Sequence, residues 1–291
     1  MRKLFYILPV FLLLVTSVQA VNDRALFWQV QSGSAIVYLL GSIHFADESF
    51  YPLREEIERA FRSSDHLVVE INIDEEKAER YRELIRLKGS YRGDATIRDE
   101  ISEETYRQLD YRLNQLGMSL DMVHKQKPGV LVLTLTAVQV MKMGFMPGLG
   151  IDAHFLRGAA NTNKNIIELE TVDEQLDVFL NITDGDLLLR EALFSLHEAE
   201  MLMMDMTLCW KKGDEACLEA ILFEDALTRY PSFVNIYDIL FFSRNEDMAN
   251  DIRAFLDSKG TYFVVIGAGH LVGEKGIPGL LREAGYKVRR L

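Results

Sequence analysis

The chain has 291 residues, of which 48% are hydrophobic and 26% charged. This is the composition of a folded globular protein, and it excludes an intrinsically disordered, collagen-like or multi-span membrane chain. Thirty-two basic residues stand against 44 acidic ones, a formal net charge of −12 with no Lys/Arg cluster, which excludes nucleic acid as a partner because phosphate binding is driven by grouped cations.

The first twenty residues differ from the rest. Arg2 and Lys3 precede an apolar run from Leu4 to Val15, followed by a small-polar stretch ending Val18-Gln19-Ala20. This pattern predicts a secretory signal peptide over 1–20, cleaved after Ala20, and hence a periplasmic or secreted protein. Twelve apolar residues fall short of the ~20 that span a bilayer, so membrane contact is expected only through an uncleaved leader. Loss of Arg2 and Lys3 leaves 30 basic against 44 acidic residues, a charge of −14. No Pro/Gly/Ser-rich linker divides the remaining chain, so 21–291 is expected to form one domain.

In chain order, Leu26 to Gln31 and Ala35 to Leu40 flank Gln31-Ser32-Gly33-Ser34 and predict a β-hairpin. Pro52 is expected to open a helix with Leu53, Ile57, Ala60 and Phe61 on one face, and Leu67 to Ile71 to form a buried strand. From Asp74 to Gly117 charged helical segments predict a solvent-facing layer, with stops at Gly89 and Gly117 and an N-cap at Ser102. Pro128 begins an apolar stretch through Met141, too short to cross a bilayer, which predicts a buried helix.

Ile166 to Glu170 predicts the next strand. Helices are expected over Asp184 to Lys212, Asp214 to Arg229 and Ser243 to Lys259. Met201, Met203, Met204 and Met206 in the first of these suit an irregular core better than a metal site. Thr261 to Ile266 and Tyr286 to Arg290 predict closing strands around a short helix. Strands at both ends with helices between imply an α/β (α+β-like) fold, a central mixed β-sheet whose C-terminal strands complete it. Cys209 and Cys217 flank Lys211-Lys212-Gly213-Asp214, a helix end followed by an N-cap. In an exported chain they read either as a disulfide across a helical hairpin or as two buried thiols.

The chemistry begins with a repeated pattern. Gly41-Ser42-Ile43-His44 and Gly267-Ala268-Gly269-His270 are both Gly-x-x-His, and each follows an apolar strand. A glycine at the carboxyl end of a strand lets the backbone turn sharply, which places the next side chains at the sheet edge where α/β sites form. Two such histidines can converge on one ion, and a third ligand is then required from another strand end. Glu70 is the candidate, because a carboxylate closing the apolar run Leu67-Val68-Val69 is costly unless paired, protonated or bound to a cation; the alternative is a strand residue that points outward. A His, Glu, His set suits Zn, Mn, Fe or Co and leaves positions open for water. The alternative is that each histidine merely packs at a strand end.

Further segments give the pattern a wider match: Tyr38 to His44 with Tyr51-Pro52-Leu53, Val69-Glu70, Gly150-Ile151-Asp152-Ala153-His154, Leu169-Glu170-Thr171 with Gln175, Arg244-Asn245, and Gly267 to Leu271 running into Gly285-Tyr286. In this order and spacing the chain resembles the TraB/PrgY/GumN family, which is related to the Tiki metalloproteases and more remotely to erythromycin esterases and the ChaN haem-uptake lipoproteins. The resemblance spans nearly the whole mature chain. It implies a divalent metal (Mn, Co or Zn) held by His44, Glu70 and His270 and used to hydrolyse peptide bonds. Arg244 matches the family's Arg-Asn pair and is expected to hold a substrate carboxylate or stabilise an oxyanion, the alternative being a surface Arg; Glu170 matches a further family position and is expected to make a structural hydrogen bond, the alternative being a general base or a partner behind the site. Arg244 just after a predicted N-cap at Ser243 would face an unfavourable helix dipole, which argues for an acidic partner elsewhere. His154 is expected to be structural, and His66, His124 and His197 to have no part in the site.

The expected function is therefore an exported metal-dependent hydrolase, a metallopeptidase taking a peptide or small-molecule substrate. The alternatives are a non-catalytic protein of the same family type that sequesters a peptide or small ligand, and a haem or metal carrier, which no lone Tyr or His pair supports.

Overall fold

The computed structural model describes residues 23–72, 75–229 and 231–291. The predicted leader and its cleavage site lie outside the described residues, as does Asp74. Strands β1 (Phe27–Ser32) and β2 (Ala35–Ser42) form the expected antiparallel hairpin, with Gly33 at φ +54° in its two-residue turn. Strands β3 (His66–Val69), β4 (Asn165–Glu168), β5 (Gly260–Gly267) and β6 (Val288–Arg290) complete a six-stranded mixed sheet in the order β4-β3-β5-β2-β1-β6. The first four in that order run parallel, and β6 closes the far edge antiparallel to β1.

Before β4 come α1 (Glu55–Ser63), α2 (Glu75–Lys88), α3 (Glu103–Leu116), α4 (Leu120–Val123), α5 (Pro128–Lys142) and α6 (Ile151–Thr162). After it come α7 (Val172–Leu180), α8 (Gly185–His197), α9 (Ala199–Lys212), α10 (Glu215–Glu219), α11 (Asp225–Arg229), α12 (Val234–Tyr237) and α13 (Ser243–Leu256). Helix α14 (Ile277–Glu283) connects β5 to β6.

Both faces of the parallel strands are covered, which is why β2 and β5 read as apolar runs rather than as alternating ones. On one face Phe61 of α1 and Phe155 of α6 meet Phe263 of β5, with ring centroids 5.6 and 4.8 Å apart. On the other, Phe255 of α13 stacks on Tyr262 at 4.7 Å. Among the described residues no helix is long and apolar enough to cross a membrane.

Several elements depart from the sequence expectation for local reasons. The first helix starts at Glu55 rather than Pro52, because Arg54 is still extended (ψ 133°). The predicted solvent-facing layer is only half exposed: α3 buries Leu109, Leu113 and Leu116, and α2 sets Leu84 against Val172 and Leu176 of α7. The helix expected over 184–212 breaks at Glu198 into α8 and α9. Two π-helical segments, Ala220–Glu224 and Asp238–Phe242, interrupt the later helices. Ser243 therefore lies inside a continuing helix and is not an N-cap.

Cys209 and Cys217 are disulfide-bonded across Gly213, which ends α9 at φ +66°, and Asp214, whose carboxylate caps α10. Helix α5 starts at Pro128 as expected but is not buried all round. Leu131 and Leu135 are fully buried, whereas Leu133, Thr136 and Val140, one helical face at i, i+3 and i+7, turn towards a cavity. A helix apolar on every side is explained when one side faces the core and the other a recess.

Candidate functional site

The parallel strands end along one edge of the sheet, and each delivers a polar residue there. His44 follows β2 by two residues, Glu70 follows β3 directly, Glu170 follows β4 by two, and Gly267 ends β5 three residues before His270. Since β5 lies between β3 and β2, residues 197 or more positions apart in sequence, such as Glu70 and Gly267, become neighbours: the Gly267 N–H donates to Glu70 Oε1 at 2.5 Å. The carboxyl edge of parallel strands is where open α/β sheets place ligands.

His44 Nε2 stands 3.9 Å from Glu70 Oε1, and His270 Nε2 stands 3.9 Å from Glu70 Oε2. Both rings are held from behind. His270 Nδ1 donates to Asn245 Oδ1 at 2.6 Å, and Asn245 in turn donates to the Lys275 carbonyl at 2.8 Å. His44 Nδ1 lies 3.3 Å from Asp152 Oδ1, which also accepts the Ser42 hydroxyl at 2.7 Å. With each Nδ1 facing an acceptor, the Nε2 atoms are the ones turned to the shared carboxylate.

Gly267 makes room for this meeting. A β-carbon on Gly267 would stand 3.1 Å from His44 Nε2, 3.2 Å from Glu70 Oε1 and 3.6 Å from His270 Cδ2. The three side chains thus surround one point. A divalent ion with bonds of 2.0–2.2 Å sets neighbouring donors roughly 3.3 Å apart, so the 3.9 Å separations leave about half an ångström to close on an ion. Among the described residues no group of three or more His, Cys, Asp and Glu side chains has metal-ligating spacing as it stands. The donor types fit a divalent transition metal, and the half-exposed His44 has the freedom to take up the slack.

Arg244 is drawn in from α13. Its Nε and Nη2 donate to the two oxygens of Glu170 at 2.6 Å each, Nη2 also reaches Glu70 Oε2 at 3.0 Å, and Nη1 donates to the Leu240 carbonyl at 2.7 Å. Gln175 adds contacts of 3.3 Å to Glu170 and 3.5 Å to Glu70. The acidic partner expected for Arg244 exists, but not for the reason given by the sequence: with Ser243 inside the helix, no N-terminal dipole acts there. What demands the carboxylates is the burial of the guanidinium, 17% exposed.

Charge at the site follows from these contacts. Burial works against ionisation of Glu70, yet His270, His44, Arg244 and the Gly267 N–H together bring its carboxyl down to about 2. Burial pushes His270 down to about 4, against the pull of Glu70, so its imidazole is neutral. His44 is open to solvent on one side, and the walls around it oppose its charge; Asp152, by hydrogen bonding and by charge, and Glu70 outweigh them and lift it to about 9. Burial also opposes the charge of Arg244, and Glu170 and Glu70 hold it above its ordinary range. Glu70, Glu170 and Asp152 outnumber the guanidinium and the His44 imidazolium, and a site that raises an imidazole in this way attracts cations.

Above the floor lies a cavity of about 450 Å³, which His44, Glu70, Arg244 and His270 line from below. Its walls are apolar side chains of α5, α7, α9 and the two π-helical segments. Trp210, at the end of α9, ties this cap to the floor by donating to the Gly41 carbonyl at 2.7 Å.

The model of the TraB/PrgY/gumN family matches residues 26–290. The chain belongs to that family. It is 28% identical to the uncharacterized protein YbaP of Escherichia coli (strain K12) over 252 residues, 86% of this chain and 89% of the relative, and it matches YbaP of Shigella flexneri equally. No solved structure matches it.

In this TraB/PrgY/gumN chain the structure brings His44, Glu70, His270, Arg244 and Glu170 together. His154 stands apart, with its Nε2 2.8 Å from Glu58 and its ring against Tyr51 and Phe155. His66 pairs with Asn165 and stacks on Tyr262. Sequence reasoning gave Ser42, Asp152, Asn245 and Gln175 matching positions and no role. Adjacency carried the available signal: Ser42 lies inside the first Gly-x-x-His, and Asn245 follows Arg244 directly.

Proposed function

We propose that this chain is an exported metal-dependent hydrolase acting on peptide bonds, in which His44, Glu70 and His270 hold a divalent Mn, Co or Zn ion. One relationship supports it above all: two imidazole Nε2 atoms face the two oxygens of one buried carboxylate at 3.9 Å each, with both rings fixed from behind. The kinship implied with the Tiki metalloproteases points the same way. When bound, such an ion supplies Lewis acidity, lowering the pKa of water and polarising a carbonyl.

The chain's own residues do the rest. Asp152 and Asn245 hold the two rings, and Glu70 stays anionic between them. Arg244 has five N–H donors, and its hydrogen bonds to Glu170, Glu70 and the Leu240 carbonyl occupy four of them. It keeps one N–H for charge developing on a carbonyl oxygen at the cavity floor. It has too few left to clamp a substrate carboxylate with two parallel bonds. Glu170, with both oxygens on Arg244, acts by positioning that guanidinium rather than as a general base.

Calorimetric titration of the protein from Val21 with Mn, Co and Zn, beside His44→Ala and His270→Ala, tests the site. One stoichiometric ion in the parent protein, lost in both variants, is expected, followed by cleavage in a peptide library that a chelator stops. An ion bound equally well without either histidine would overturn the assignment. Ion binding without any cleavage would leave a ligand-sequestering protein.

A further inference from the structure

The cavity above the polar floor carries an inference about what the site takes, and it rests on the hydrolase proposal for the reaction itself. We infer that the site selects a substrate presenting an uncharged, bulky apolar side chain beside the bond held at the floor, with no free carboxylate at that point.

Four observations lead there. First, the walls are mainly apolar, with Leu133 and Val140 from α5, Phe179 from α7, Met206 from α9, and Leu222 and Phe241 from the two π-helical segments, and with Thr136 and Gln175 as uncharged polar exceptions. The recess of about 450 Å³ falls within the ~300–1,000 Å³ typical of small-ligand clefts. Second, charge is confined to the floor. Among the described residues, His44, Glu70 and Arg244 are the only ionisable lining residues besides His270, and no Lys or Asp lines the walls. A charged group in the recess would lose its hydration with no partner to replace it.

Third, the cation placed to clamp a carboxylate is already committed. Arg244 is bound to Glu170 and Glu70, so it offers a free C-terminal carboxylate no pair of parallel N–H bonds. Fourth, wall and floor are continuous. The Phe241 ring lies 5.4 Å from the His270 ring, and it packs so close over Gly269 that a β-carbon there would stand 2.8 Å from Cε1. An apolar group against Phe241 is thus held within one residue's reach of the floor.

The construction of the walls sets the breadth of selection. Leu222 and Phe241 sit in Ala220–Glu224 and Asp238–Phe242, and π-helical insertions of this kind are frequent at functional sites. Met203 and Met206 also line the recess. Unbranched thioethers adapt to different apolar shapes, so Leu, Met and Phe side chains are all accepted.

The test uses the protein from Val21 and the neutral fluorescent probe N-phenyl-1-naphthylamine, displaced by N-acetyl-phenylalanine amide, N-acetyl-leucine amide, N-acetyl-serine amide and N-acetyl-phenylalanine with its free carboxylate. The two apolar amides are expected to displace the probe at concentrations at least tenfold below those of the serine amide and the free acid. Leu222→Asn and Met206→Gln are each expected to weaken the apolar amides at least fivefold while stoichiometric Mn²⁺ binding persists, which also reports that the fold survives. Equal displacement by phenylalanine and serine amides, or apolar binding unchanged in both wall variants, would overturn the inference. Apolar selectivity in a protein that binds none of Mn²⁺, Co²⁺ and Zn²⁺ would sink the hydrolase proposal and leave this one standing.

Discussion

Asn245 accepts the Nδ1 proton of His270 at 2.6 Å while donating its own amide to the Lys275 carbonyl at 2.8 Å. The second bond fixes which end of the amide faces the ring. The ring tautomer is fixed with it, because an amide oxygen can only accept. Asn245 is fully buried and His270 nearly so, so neither group has water to fall back on.

Asn245→Leu removes the acceptor and lets the neutral His270 ring flip or change tautomer. The expected result is a 10–100-fold loss of Mn²⁺ or Zn²⁺ affinity, read by calorimetry. His44→Ala in the same background should abolish the binding that remains, since it removes a ligand rather than a ligand's partner. Unchanged affinity in Asn245→Leu would place Asn245 outside the site.

Gly267→Ala tests the point on which the three side chains converge. Gly267 has φ −50°, which any residue adopts, so the added methyl acts through space alone. It would stand 3.1 Å from His44 Nε2 and 3.2 Å from Glu70 Oε1. Ion binding is expected to vanish with the far-ultraviolet circular dichroism unchanged. A variant that still binds one ion at parent affinity would place the ion elsewhere.

The disulfide between Cys209 and Cys217 closes a short loop between α9 and α10. Replacing both residues with Ser should cost about 2–3 kcal/mol through the freed unfolded chain, seen as a lower midpoint in urea. Because α9 carries Met203 and Met206 into the cavity wall, apolar probe affinity is expected to fall as well. Reduction of the parent protein should reproduce both effects.

Glu191 gives a stability signature that varies with pH. Burial raises its pKa, and the hydrogen bonds it accepts from Ser195 (2.9 Å) and Tyr237 (3.1 Å) only partly oppose this. A folded pKa above the unfolded one means that the folded state binds more protons in that window, so stability falls as pH rises from the unfolded value, ~4.3, through the folded one. Glu191→Gln should flatten that part of the stability profile and raise Tm at pH 7 by roughly 2 °C. A profile as steep in the variant as in the parent would assign the slope to other groups.

Local pattern and local chemistry were enough, in the sequence, for many of the elements and for the residue types of the site, but not for α6 or α7, where no helix was expected. The hairpin around Gly33 needs only a turn glycine between two apolar runs, and α5 needs only Pro128 and twelve apolar-rich residues after it. His44 and His270 stood out because Gly-x-x-His follows a strand twice, and Glu70 because a carboxylate closes an apolar run. These are short-range features, written within a few residues of one another.

Tertiary structure decided everything that depends on which strand lies beside which. The order β4-β3-β5-β2 makes Glu70 the neighbour of Gly267, and no spacing in the chain encodes that. The same order places Arg244 on Glu170 and Glu70, whose charge it balances. The break at Glu198 and the π-helical segments turn α9, Leu222 and Phe241 over the floor. Apolar periodicity marks such side chains as buried, but burial in a core and burial around a recess look alike in one dimension, since both remove the same surface from water.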